Sequence, residues 1–84
     1  MNHFASPSFW KAYEKLPKQI QILADKKFKI VKENPRHPSL HQKQVGDYWS
    51  VRIGKRYRAV AVKMEKGLLW FWIGTHSGYD KLLK

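Results

Sequence analysis

The chain has 84 residues, with 17 Lys or Arg against 6 Asp or Glu, which gives a formal net charge of +11 with histidine neutral. It contains no cysteine, which excludes disulfides and thiolate metal sites, and no apolar run approaches a membrane span. The length fits one domain, residues 1–84, and so much cationic charge on a small domain attracts polyanions, either nucleic acid or an acidic protein.

The start, MNHFASPSFW, lacks a basic stretch leading into a long apolar one. No secretion signal is expected, and the default location is the cytoplasm. His3 is assigned to a frayed terminus. Ser6-Pro7-Ser8 has the residue types of a helix start. Phe9, Ala12, Tyr13 and Leu16 follow at the spacing of one helical face. Pro17 interrupts, either starting a second helix or kinking one long one. In KQIQILADKKFKIVKEN, Ile20, Leu23, Ala24, Phe28 and Val31 form an apolar stripe that Ile22 and Ile30 broaden. This predicts an amphipathic helix of about four turns, ending near Asn34-Pro35. NPRHPS reads as a connector.

From Leu40 the period changes. LHQKQV is a weak strand and Gly46-Asp47 a turn. YWSVRI alternates, with Trp49, Val51 and Ile53 on one face and Tyr48, Ser50 and Arg52 on the other. Gly54-Lys55-Arg56 turns the chain into the strand YRAVAVKM, and Glu65-Lys66-Gly67 turns it into LLWFWIGTH. In that last strand Leu69, Phe71, Ile73 and Thr75 are assigned to the core face, and Leu68, Trp70, Trp72, Gly74 and His76 to the other. YDKLL is a short terminal turn. The fold class is α+β, with two N-terminal helices on one face of a roughly four-stranded antiparallel sheet and the other face partly open.

Arg58 is placed on the open face, since burying an unpaired guanidinium under the helices is costly. Arg52, Arg58 and His76 then share one surface, and Tyr79, three residues after His76, is within reach of it. Lys43, Lys55 and Arg56 near the strand ends are candidate RNA contacts that widen the positive field. Arginine grips phosphate through a planar fork, histidine exchanges protons near neutral pH, and tyrosine donates a hydrogen bond. Such a set suits RNA cleavage by the RNA's own 2′-hydroxyl, with no cofactor. Asp47 and Asp80 are far apart in sequence and lack metal-like partners. His37 and His41 flank Pro38 in a loop, which does not join them as a zinc pair.

The order of these segments resembles the RelE/ParE superfamily of small bacterial toxins from type II toxin–antitoxin systems. The likeness rests on the helical pair ending in NPRHPSL, then WSVRIGKRYRAVAV, then WFWIGTHSGYDKLL, and it spans about Phe9 to Leu83. It implies a compact toxin silenced by a cognate antitoxin, acidic and partly disordered. It also implies inhibition of translation by cleaving mRNA on the ribosome. The GTHS…Y ending is nearest to the histidine-containing mRNA interferases of the YafQ and HigB kind. On that likeness Arg58 matches the phosphate-stabilising arginine, Arg52 a basic groove residue, His76 the C-terminal catalytic histidine, and Tyr79 an aromatic that orients or stacks a base. Ser50 stands where RelE has a lysine, and a histidine occupies the region of the RelE-type terminal arginine. A second proton carrier is needed; His41 is the candidate, with Asp47 and Tyr57 as alternatives. Two other readings stay open: a ParE-like toxin acting on DNA gyrase, and a basic RNA- or protein-binding module without catalysis.

Overall fold

The computed structural model describes residues 2–83. Ser6 caps the first helix (α1, Pro7–Glu14): its side-chain oxygen accepts the Phe9 amide at 3.3 Å, and Pro7 occupies the first turn, where no amide is required. Pro17 separates rather than kinks, and a second helix (α2, Lys18–Glu33) begins directly after it. That helix stops at Asn34, whose extended backbone is what the following Pro35 demands. A 3-10 turn, Pro38–Leu40, then leads into the sheet.

Strands β2 (Lys43–Val45), β3 (Tyr48–Gly54), β4 (Tyr57–Met64) and β5 (Gly67–Thr75) form the predicted antiparallel meander. A fifth strand, β1 (Asn2–Ala5), was not expected. It lies parallel to β5, pairing Asn2 with Gly67 and Ala5 with Trp70, so the sheet is mixed, with order β1-β5-β4-β3-β2. His3 is therefore part of the sheet and not of a frayed end. Gly67 makes this pairing possible: its φ is +148°, and a Cβ there would lie 2.1 Å from the Asn2 carbonyl oxygen.

Helices α1 and α2 cover one face of the sheet. Phe9, Ala24 and Val31 from the helices bury against Trp49, Val51, Ile53, Ala59 and Ala61, as the alternation in YWSVRI requires. Ile22 does not join this core and is exposed. The last strand departs from the expected facing. Its register against β4 shifts between Val60 and Ala61, where Val60 pairs with Trp72 and Ala61 with Trp70, leaving Phe71 as an extra residue. A bulge of this kind inverts the alternation on one side of it. Leu68, Trp70 and Ile73 therefore enter the core, while Leu69 and Phe71 do not. Trp70 packs edge-on against Phe28 at 5.0 Å between ring centres, so it is a core residue.

The second correction concerns the end of the chain. His76–Leu82 is a helix (α3) and not a turn; the Thr75 hydroxyl caps it by accepting the Gly78 amide at 3.1 Å. Helix α3 lies against the sheet face that α1 and α2 leave free. It covers part of β4 with Tyr79 and reaches Tyr48 and Val62 with Leu82 and Leu83.

Candidate active site

Two arginines face each other across neighbouring strands. Arg52 of β3 and Arg58 of β4 are a direct cross-strand pair, on the face opposite Val51, Ile53 and Ala59. Side chains directly opposed in a sheet lie close, and like charges there repel unless the fold compensates. The compensation is visible atom by atom. Arg58 Nη2 donates to the His41 carbonyl at 2.9 Å and to Ser50 Oγ at 2.9 Å. The Tyr79 ring lies over its guanidinium, 5.1 Å from the ring centre. Arg52 Nε donates to the Gly54 carbonyl at 3.3 Å, and its Nη1 meets His41 Nε2 at 3.3 Å.

Arg58 thus occupies the predicted face but is not open to solvent. It is 3 % exposed beneath α3, and its Nε is buried without a partner. Burial, and secondarily the charge of Arg52, push its pKa down from the ordinary arginine value, while Tyr79 opposes the shift. Arg52, by contrast, is half-buried and accessible.

His41 is in the left-handed region, φ +43°, at the end of the 3-10 turn. That conformation turns its carbonyl to Arg58 and its ring to Arg52. An arginine can only donate, so His41 Nε2 accepts in this contact. A cleft of about 320 Å³ opens beside Arg52 and His41, with Lys27 and Lys55 on its walls. Lys27 Nζ also donates to the Ser39 carbonyl at 3.3 Å, tying α2 to this loop. His37 is not part of the site: its Nδ1 accepts the Ser39 amide at 3.1 Å and caps its own turn.

On the other flank, His76 opens α3, and its ring meets Tyr79 edge-on at 5.7 Å. Its Nδ1 is 3.4 Å from Asp80 Oδ2, with about half of each side chain exposed. The His76 amide donates to the Arg56 carbonyl at 2.7 Å, which ties the helix start to the β3–β4 turn. The floor between is smooth, because Gly74 stands opposite Arg58 and the Trp72 indole folds across it: a Cβ on Gly74 would lie 2.7 Å from Trp72 Cζ2.

A continuous path therefore runs from His41 through Arg52 and Arg58 to Ser50, Tyr79, His76 and Asp80. Of the sequence candidates, Arg52, Arg58, His41, His76 and Tyr79 are brought together. Lys43 pairs with Ser50 at the sheet edge, and Lys55 and Arg56 are exposed in the β3–β4 turn. The two alternative proton carriers fall elsewhere. Tyr57 packs against the helix-side core. Asp47 lines a separate groove with Tyr48, Val62, Leu82 and Leu83. Ser50 and Asp80 were missed as site residues. The four-residue spacing of His76 and Asp80 would have shown the pair had the segment been read as a helix. Among the described residues no three histidine or carboxylate side chains converge as metal ligands.

This fold is shared with solved toxins. The YoeB/ParE toxin from Agrobacterium tumefaciens matches at TM-score 0.70 and 20 % identity, over 90 % of this chain and 99 % of that one. YafQ from Escherichia coli matches at 0.73 and 14 %, over 93 % and 96 %. The RelB–RelE antitoxin–toxin complex from Methanococcus jannaschii matches at 0.68 and 13 %, over 96 % and 99 %. No curated protein sequence matches the chain. The family model of the ParE-like toxin domain matches residues 18–81, from the start of α2 into α3. The chain therefore belongs to the ParE-like toxin domain family, within the RelE/ParE superfamily of toxins.

Proposed function

We propose that this toxin arrests translation by cutting mRNA on the ribosome, with Arg52, His41 and His76 contacting the RNA. The observation that carries the reading is the opposed pair Arg52–Arg58 with an imidazole on each flank. As Arg52 moves from His41 Nε2 to the RNA phosphate, that nitrogen is released to accept the proton of a ribose 2′-hydroxyl. The freed oxygen attacks the adjacent phosphorus, and the bond to the 5′-oxygen breaks. His76, held through Nδ1 by Asp80, delivers a proton from Nε2 to that leaving oxygen. The products are a 2′,3′-cyclic phosphate and a free 5′-hydroxyl. Arg52 grips the phosphate, and Arg58 adds its charge from beneath, where low dielectric makes it count for more. Lys43, Lys55 and Arg56 attract the RNA backbone. The ribosome contributes by holding the mRNA near an in-line geometry.

Silencing by an antitoxin fits the same picture. RelB and YefM accompany the toxins in solved neighbours from Methanococcus jannaschii and Staphylococcus aureus. An acidic, partly disordered partner would complement the +11 charge of this chain. The ParE-like family match favours one second reading, a gyrase-directed toxin.

The test is purified toxin added to ribosomes holding a defined mRNA. The expected result is cleavage in the A-site codon, slowed about 100-fold by His76→Ala. Intact mRNA overturns the reading, and inhibited supercoiling by gyrase in a parallel reaction establishes the second.

A further inference from the structure

Ser50 is 2 % exposed and sits between two residues of the site. Its Oγ accepts from Arg58 Nη2 at 2.9 Å and lies 3.2 Å from Tyr79 Oη. The direction of this relay follows from chemistry. Arginine has no acceptor, so Ser50 must accept from Arg58. The Ser50 hydroxyl donates its one hydrogen to Tyr79 Oη. The Tyr79 oxygen is then an acceptor on its sheet side, and its own hydrogen, directed away from Ser50, meets no acceptor among the described residues.

We infer that Ser50 is a positioning residue that passes the polarity of the buried Arg58 to Tyr79 and fixes the phenol as a hydrogen-bond donor to a phosphodiester oxygen of bound RNA. The inference rests on the RNA reading above. It gives Arg58 a route to the substrate that its burial otherwise denies: the guanidinium polarises Ser50, Ser50 polarises the phenol, and the phenol meets the anion. Chains of hydrogen bonds in a low-dielectric setting strengthen one another in this way. Tyr79 is itself only 7 % exposed, and its ring is held by the Arg58 guanidinium over it and the edge-on His76 imidazole. The hydroxyl of a serine, unlike a lysine ammonium at this position, can both accept and donate, which the relay requires.

The test is a double-mutant cycle on wild type, Ser50→Ala, Tyr79→Phe and the double variant, with Ser50→Thr as the conservative control. Two readouts are taken: the cleavage rate on ribosome-bound mRNA, and binding of a short oligonucleotide made uncleavable by a 2′-deoxy substitution. Ser50→Ala is expected to weaken both about tenfold in the wild-type background. In the Tyr79→Phe background it should change them less than twofold, because the phenol it serves is already gone. Ser50→Thr should retain most of the wild-type value. Equal losses from Ser50→Ala in both backgrounds, or no loss in either, overturn the inference. A wild type that binds with this coupling but cuts nothing leaves the relay standing and removes the cleavage reading. Melting curves for each variant separate a fold defect, which would not spare the Tyr79→Phe background.

Discussion

At the scale of single residues, His41 carries two separable jobs. Its carbonyl steadies Arg58 and its imidazole meets Arg52, and both follow from one left-handed backbone setting. A non-glycine residue there is strained by roughly 1–2 kcal/mol. His41→Gly keeps the backbone conformation without that strain and removes only the ring; His41→Ala removes the ring and keeps the strain. Both variants are predicted to cut mRNA about 100-fold more slowly, while His41→Gly is the more stable of the two by about 1 kcal/mol in denaturant titration. A fully active His41→Gly would show that only the carbonyl matters. That Arg52 and Arg58 share a face was expected from the cost of burying an unpaired guanidinium under the helices; their direct pairing was not legible, because neither side of YRAVAVKM is plainly polar and the register shifts between Arg52 and Gly54. Nor was the burial of Arg58. It depends on Tyr79, twenty-one residues later in α3, which covers the guanidinium only in three dimensions.

At the scale of elements, the parts missed in the sequence are those whose structure is set by a neighbour. NHFA is too short to announce a strand, and it exists as β1 because Gly67 lets it approach β5. The bulge at Phe71 leaves no mark in a run that is apolar throughout, so the facing of β5 could not be read from alternation. Helix α3 contains Gly78 and only seven residues, a weak signal taken alone. Elements α1, α2, β3 and β4 were legible as helices and strands from their composition, periodicity and boundary residues.

β1 also has a built-in acid sensitivity. Trp70 Nε1 donates to His3 Nδ1 at 3.1 Å, a contact that only a His3 unprotonated at Nδ1 can make. Burial, together with positive charge that includes Lys32, lowers the His3 pKa from its ordinary 6.5. Asp25, Lys29 and Lys32 line the same groove, so two of its three other charges oppose a protonated His3. Because the folded-state value lies below the unfolded one, the stabilisation is complete above 6.5 and is lost as pH falls through the lower folded value. The wild type should therefore lose melting temperature more steeply than His3→Ala on acidification below about pH 6.5. Parallel slopes for the two proteins would refute this. Protection of the Asn2–Ala5 amides, taken relative to the intrinsic exchange rate at each pH, should fall over the same range.

At the scale of the whole molecule, the layers divide the work. The face under α1 and α2 holds the apolar core. The opposite face, only partly covered by α3, carries the two arginines, both site histidines and the tyrosine. A net charge of +11 gives this face a long reach toward an RNA backbone, screened by salt. The α+β arrangement with its helices on one side was readable from the order of periods along the chain. That a third helix covers part of the second face, and that a parallel strand extends the sheet, emerged only from the packing.

The central claim is that this surface cuts RNA. The most direct measurement maps mRNA 5′ ends in cells after brief induction of the wild type and of His76→Ala, each produced at equal level. The account predicts new 5′ ends within reading frames, at codon-spaced positions, in the wild type and their loss in His76→Ala. Growth arrest by the wild type with mRNA uncut, or identical cuts with His76→Ala, would contradict it.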